Sequence, residues 1–407
     1  TFRELGEWFE DVMGQYRKWA DFQFQWKAER QESIKKMPFP FGYREGQKSL
    51  VTYVYQTIYH KRKLFIEAPT GAGKTISTIF PAVKALGEEK GERIFYLTAK
   101  TITRTVADHA FQILRQNGLK FKTVTLTAKD KICFMDETEC NPEYCPYAKG
   151  HYDRINDAIY DLLTHLDNFS REGIESYARN HRVCPFEMGL DMSLFSDGII
   201  CDYNYVFDPH VYLKRFFSEG VKGEYIFLID EAHNLVERGR EMYSAVMCKE
   251  DFLRLKRTVK GMDDRMERRL EKCNKELLAM KRECEVYRME EYIEPFVTAL
   301  RRLHSAMETY LEEDPEGVVH GKEVRSEVLD FYFEVMHFLD MYERVDENYV
   351  MYSELKEDGC FLLKLFCVNP SLNLRECMGK GRSTILFSAT LLPIEYYKAL
   401  LGAEAGD

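Results

Sequence analysis

Apolar positions along this chain fall into three rhythms. Short runs bounded by turn formers (Leu64–Glu67, Arg93–Leu97, Thr123–Leu126, Tyr225–Ile229 and Thr384–Phe387) are rich in β-branched and aromatic residues. They are continuous rather than alternating, which predicts strands buried on both faces of a parallel α/β sheet. Between them the period lengthens, and Gln47–Tyr59, Ile76–Leu86 and Asp153–Leu166 predict helices. Residues 1–36 predict another, with Trp8, Phe9, Val12, Tyr16 and Trp19 on one face. It should end near Met37-Pro38-Phe39-Pro40, because a proline drives the preceding residue out of helical conformation. The third rhythm is a seam of Leu255, Val259, Met262, Met266, Leu270, Cys273, Leu277, Met280, Cys284 and Tyr287, which predicts one long packed helix weakened only at Gly261. Residues 128–195 and 237–350 interrupt the strand–helix alternation and read as two insertions. The α/β domain itself is expected over 37–127, 196–236 and 351–407.

Ala68-Pro69-Thr70-Gly71-Ala72-Gly73-Lys74-Thr75 fits the phosphate-loop pattern, with alanine at the first glycine position. A predicted strand precedes it and a predicted helix follows, the context such a loop needs. Gly71 and Gly73 let backbone N–H groups converge on phosphate oxygens across the cradle of Thr70 and Ala72. Lys74 suits the β and γ phosphates of ATP, and the Thr75 hydroxyl suits Mg²⁺. Asp230-Glu231 closes an apolar strand and so projects from the sheet edge where ligands bind. Asp230 is placed to hold Mg²⁺ through water, and Glu231 to polarise an attacking water as general base. Either motif alone could be a glycine turn or an exposed acidic strand end; their pairing points to a nucleotide hydrolase.

Four cysteines, Cys133, Cys140, Cys145 and Cys184, lie between those two motifs. The first three can close on one centre from a single loop, and the fourth returns after a helical excursion. Cys145-Pro146-Tyr147 and Cys184-Pro185-Phe186 repeat a cysteine–proline–aromatic pattern. Four thiolates suit tetrahedral zinc or a [4Fe–4S] cluster, and spacing alone leaves both open beside unligated cysteines. Cys201, Cys248, Cys273, Cys284, Cys360, Cys367 and Cys377 read most simply as small buried hydrophobes.

Composition narrows the class further. At 407 residues, with 45% hydrophobic and 14% aromatic content, the chain can bury two or three cores. No apolar run approaches the roughly 20 residues that span a bilayer. Eleven cysteines without a disulfide spacing, beside an ATP motif, point to a reducing intracellular compartment. A net charge of −10 does not announce a nucleic-acid binder, yet 57 Lys and Arg leave room for a local basic groove. Interleaved acids along residues 252–283 read as an ordinary solvated face.

Taken together, these motifs resemble the iron–sulfur helicases of superfamily 2, the XPD/DinG group. The lead-in Leu126 to Cys133, with Ala128 where relatives often carry serine, is similar to a family segment. So are Asp202 to Pro209 and Phe366 to Ser371. The resemblance, over roughly residues 38–407, implies a RecA-like motor domain, a [4Fe–4S] cluster on Cys133, Cys140, Cys145 and Cys184, and a helical arch over 237–350. It implies that His233, Ser388 and Thr390 couple hydrolysis to movement. It also places Thr98, Lys100, Thr101 and Lys129 on single-stranded DNA, translocated 5′ to 3′. Phe41-Gly42-Tyr43-Arg44 and Gln47 resemble the adenine-side segment, although Arg44 and Gln47 also suit a plain helix N-terminus. Tyr147, Phe186, Tyr203 and Tyr205 are candidate base-stacking residues or cluster shields. A cytoplasmic bacterial enzyme in repair or replication is implied, with no membrane role. The second motor domain is expected outside this sequence, so turnover by the chain alone should be slow, and helix 1–36 is expected to link to something upstream. Two other readings remain: a non-motor DNA-binding or redox-sensing module, and a zinc-bound ATPase acting on protein partners. Intact Lys74, Asp230 and Glu231 weigh against the first.

Overall fold

The structure is a computed structural model that describes residues 2–315, 317–404 and 406–407. The described strands are β1 (Lys63–Glu67), β2 (Arg93–Leu97), β3 (Thr123–Thr125), β4 (Asn168–Phe169), β5 (Gly198–Cys201), β6 (Tyr225–Asp230), β7 (Ala245–Cys248), β8 (Tyr287–Met289), β9 (Tyr349–Leu355), β10 (Phe361–Cys367) and β11 (Ser383–Ser388). The chain forms two compact units, one from the segment ending at Leu235 together with Leu374–Asp407, the other from Val236–Asn373.

The first unit is built on a seven-stranded parallel sheet in the order β1-β11-β6-β2-β5-β3-β4. Every residue of β5, β6 and β11 is buried, which is why these segments are apolar throughout instead of alternating. Helix Lys74–Gly87 is buried over most of its length, with Ile79, Ala82, Val83 and Leu86 in the same core as Ile94, Leu228 and Ile385. The strand expectations hold to within a residue or so. The insertion expected at 128–195 also contributes to this sheet, because β4 pairs with β3 at one end.

The second unit joins an antiparallel sheet, β7-β10-β9-β8, to helices Lys249–Thr258, Asp264–Glu283, Glu294–Glu313 and Lys322–Glu343. Edge-to-face contacts of Phe252 with Phe331 and Phe296, and of Phe296 with Phe338, fill its centre. Two expectations are corrected here. Residues 351–373 do not return to the parallel sheet: β9 and β10 form a hairpin of the second unit, turning at Gly359 with φ 84°. The single long helix is two helices, because Gly261 takes φ 77° and the Asp263 carboxylate caps a new start by accepting from the N–H of Arg265 and Met266. The seam itself is buried from Leu255 through Cys284, except at exposed Met262 and half-buried Met280.

Helix Phe2–Lys36 forms as expected, but its apolar face is only partly used. Trp8, Phe9, Val12 and Tyr16 are exposed, whereas Trp19 packs on Tyr160 and Phe195. The anchor lies further along. Asp197, on the residue before β5, accepts from Arg30, from Trp26 Nε1 at 3.2 Å and from the Lys122 N–H at 2.9 Å. The Asp197 side chain is 6% exposed and that of Arg30 15%, so removing the carboxylate strands a guanidinium out of water. Asp197→Ala should therefore destabilise the first unit by about 3–5 kcal/mol in urea unfolding, and Asp197→Asn by less. An Asp197→Ala midpoint equal to that of the wild type would show that the helix is held by its apolar contacts alone.

Candidate functional site

The phosphate-loop motif forms the turn it predicts. Gly71 and Gly73 take φ 83° and 76°, and a Cβ on Gly73 would stand 2.6 Å from Gln47 Nε2. Lys74 opens the following helix and folds back over its own loop, with Nζ 2.9 Å from the Ala68 carbonyl and 3.2 Å from that of Pro69. These two bonds are the ones an incoming phosphate would replace. Thr70 and Ala72 complete the turn, with the Ala72 N–H on the Pro69 carbonyl. Arg44 donates to the Gly71 carbonyl. Gln47 is buried, accepts from the Arg44 N–H at 3.1 Å and donates to Ser77 Oγ at 3.0 Å. Both residues thus brace the loop, more than an ordinary helix start would require.

Strand register carries the acidic motif to the same edge. Glu67 is opposite Ser388, and Phe387 is opposite Asp230, so the loop, Ser388 and Asp230-Glu231 emerge together. Asp230 accepts from the Tyr96 hydroxyl at 2.6 Å and from the Glu231 N–H at 2.9 Å. Burial lifts the Asp230 carboxyl above its ordinary pKa, with the Glu231 charge adding to the effect, while those two bonds and Lys74 oppose it. Burial and the neighbouring Asp230 push Tyr96 well up, with the Thr75 side chain opposing. Tyr96 therefore stands beside both Thr75 and Asp230. It was missed in the sequence, where it sits inside an apolar strand; the one signal is that a buried tyrosine hydroxyl needs a partner.

Glu231 takes φ 52°, an uncommon conformation for a side-chain-bearing residue. It is held there by the Tyr203 hydroxyl and Asn234 Nδ2, which donate to its carbonyl at 3.1 and 3.2 Å. Tyr203 also donates to the Asp230 carbonyl. The Ser388 hydroxyl donates to Glu231 Oε2 at 3.0 Å and lies 2.7 Å from His233 Nδ1, with Thr390 Oγ1 3.1 Å from that nitrogen. Because Ser388 spends its one proton on the carboxylate, His233 must donate from Nδ1. Burial lowers the His233 pKa, Lys100 adding to this and Glu231 opposing it.

None of the four sequence-predicted cysteines is in a disulfide. The sulfurs of Cys140 and Cys184 both interact with Lys129, whose pKa is raised first by its bond to Cys140. Cys184 precedes helix Pro185–Met192, so the N–H groups of Glu187 and Phe186 point at its sulfur; burial nevertheless raises its pKa. Phe134, beside Cys133, and Tyr147, beyond Cys145, meet edge to face at 4.9 Å, and Cys145 is buried.

The DNA-side residues divide. Lys100 and Thr101 are exposed at the start of helix Thr101–Gln116. Thr98 is fully buried with its hydroxyl on Thr103, so it supports that turn from beneath. Tyr203 and Tyr205 are buried too, which removes them as stacking platforms; Tyr147 and Phe186 stay half-buried near the cysteines.

A family model described as DEAD/DEAH box helicase matches residues 47–143, and one described as DEAD_2 matches 114–252. A probable ATP-dependent helicase of Methanocaldococcus jannaschii is 35% identical over 203 residues, which cover 49% of this chain and 29% of that protein. The XPD/RAD3 helicase subunit of the general transcription and DNA repair factor IIH of Saccharomyces cerevisiae is 25% identical over 271 residues, 56% of this chain and 33% of that one. The chain therefore spans about a third or less of these curated relatives. A solved XPD helicase structure superposes on 89% of the chain and 61% of its own, with a TM-score of 0.56 and 18% identity. A truncated XPD covers 88% and 97%, with a TM-score of 0.55 and 17% identity.

The Asp230 environment makes a pH prediction. A carboxyl with a raised folded pKa contributes stability fully present below its unfolded value of 3.8, and this is lost as pH rises through the folded value. Asp230→Asn removes that loss, so its stability relative to the wild type should climb from pH 4 towards neutrality. Urea unfolding at a series of pH values reads this, and parallel curves for the two proteins would mean that burial does not strain the carboxylate.

Proposed function

From the premise that the chain belongs to the XPD/DinG-like superfamily 2 helicases, we propose that it is the nucleotide-binding motor domain of an ATP-dependent DNA helicase moving 5′ to 3′ on single strands. The observation that carries this reading is the meeting of Thr75, Tyr96 and Asp230 with the linked Glu231, Ser388 and His233 at one sheet edge. Lys74 would exchange its two loop carbonyls for phosphate oxygens. Thr75 and Asp230 would hold Mg²⁺, which when bound neutralises phosphate charge. Glu231, fixed by Ser388, would take the proton of the attacking water. His233 and Thr390 sit on that same serine, so a change in how they are held would shift the general base; this is the proposed link from hydrolysis to movement. Lys100 and Thr101 would contact DNA phosphates.

The family likeness of the Cys133 and Cys184-Pro185-Phe186 segments supports a multi-iron group on Cys133, Cys140, Cys145 and Cys184, beside the Lys129 ammonium that acts on two of them and the aromatic pair of Phe134 and Tyr147. The four cysteines would hold a [4Fe–4S] cluster, which when bound cross-links a segment that has little regular structure from Cys133 to Gly150. Lys129 is then a counter-charge to the sulfurs before it is a DNA contact.

Lys74→Ala should abolish binding of ATP–Mg²⁺. Glu231→Gln should keep binding while lowering turnover by about 10²–10⁴-fold, measured on the full native gene product with single-stranded DNA. Wild-type turnover in Glu231→Gln would remove the base assignment. For the cysteines, serine at any of the four should cost the iron and the visible absorption of anaerobically prepared protein, while Cys273→Ser keeps both. Stoichiometric zinc without iron would count against the cluster.

A further inference from the structure

Away from both sites, the second unit brings two cysteines together that the sequence reading had treated as separate apolar fillers. Cys248 ends β7 and Cys360 closes the β9–β10 turn; their sulfurs are 2.9 Å apart, inside the van der Waals contact of two sulfurs. Both residues are half-buried. We propose that Cys248 and Cys360 form a dithiol oxidation site, converted to an intramolecular disulfide by a low-molecular-weight disulfide such as that of a small peptide thiol.

The pair is held in place from several directions. Glu250 accepts from the Phe361 N–H at 2.9 Å, and Lys281 bridges Glu250 at 3.1 Å and the Gly359 carbonyl at 2.6 Å. The Cys360 N–H donates to Asp358 at 2.9 Å, and Lys356 and Cys360 exchange a backbone bond across the turn. The cysteine sulfurs therefore meet without movement of either strand. Cys248 also lines a cleft of about 760 Å³ with Val246, His337, Lys356, Lys364 and Phe366. That opening admits a tripeptide-sized molecule, and it carries both signs of charge, with Glu241, Asp251 and Glu334 beside Lys356 and Lys364.

A divalent metal is the competing use of this cluster, since Cys248, Glu250 and Cys360 offer ligand atoms within 4.8 Å of one another. The bonding of its one carboxylate opposes it. Glu250 is already held by Lys281 and by the Phe361 N–H, and Lys249 stands 3.9 Å from it, so its carboxylate is committed to other partners. Burial, then the bond to Cys360, pushes the Cys248 thiol up to about 12, so Cys248 rests as a thiol.

The exchange balances as follows. One protein thiolate attacks a sulfur of the small disulfide, forming a mixed disulfide and releasing one small thiolate. The second protein thiolate attacks the protein sulfur of that mixed disulfide and expels the other. The two protein thiols lose one proton each, the two leaving thiolates gain one each, and two electrons pass from the protein to the small disulfide.

The test is peptide mass analysis of the reduced full chain after incubation with glutathione disulfide, with remaining thiols blocked by alkylation. A Cys248–Cys360 cross-linked peptide, lighter by two hydrogens, should accumulate while Cys273 and Cys284 stay alkylated. Cys248→Ser and Cys360→Ser should each abolish the cross-link and leave the surviving cysteine glutathionylated; Cys273→Ser should form it at the wild-type rate. Full alkylation of both cysteines after exposure, or equal oxidation of Cys273, would overturn the proposal. So would equimolar zinc binding that both serine variants abolish.

Discussion

Four neighbouring parallel strands, β1, β11, β6 and β2, have their carboxyl ends in register, and the proposed chemistry depends on that alignment. Glu67 opposite Ser388, and Phe387 opposite Asp230, fix where the phosphate loop, the serine and the two carboxylates leave the sheet. A slip of one residue would send each of these side chains to the other face, because successive residues of a strand point in opposite directions. Burial on both faces specifies that register, since a slipped strand would force polar groups into a core that cannot satisfy them. Loop and acidic motif are thus placed by packing at some remove from the site.

The site also holds an unfavourable charge. A carboxylate buried as Asp230 is disfavoured by desolvation, and the bonds from Tyr96 and Glu231 only partly offset this. An adjacent cation would reverse the balance, because a nearby positive charge favours the ionised form. Glu231 adds backbone conformation to the same economy, held at φ 52° by Tyr203 and Asn234. Destabilising groups gathered at one sheet edge are typical of a place that binds charge.

Much of this was legible in the residue pattern. Continuous apolar runs located the strands of the parallel sheet, and the glycine spacing located the phosphate loop. What escaped was tertiary. Tyr96 looks like an ordinary core aromatic, and Tyr203 like a stacking residue or cluster shield, until their hydroxyls are seen on Asp230 and Glu231. Residues 351–373 read as part of the α/β domain, yet 361–367 pair antiparallel with β9 through a tight turn. Cys248 and Cys360 carry no local signal of proximity, since only strand pairing brings them together. Thr98 has the hydroxyl expected of a phosphate contact, but faces inward to Thr103.

The position of β11 has a consequence for how the chain acquires its structure. This strand lies between β1 and β6, with Lys63 partnered by Thr384 and Ile226 by Ser383. During synthesis both flanking strands emerge long before the strand that joins them, and each presents an open backbone edge until then. The whole of Val236–Asn373 must be made in the interval, and it forms a unit of its own. Pairings of such long sequence separation form slowly, and exposed edges invite association with other chains. Of the two units, the first thus closes only after the second has been made, and its strand edges stay open in the interval.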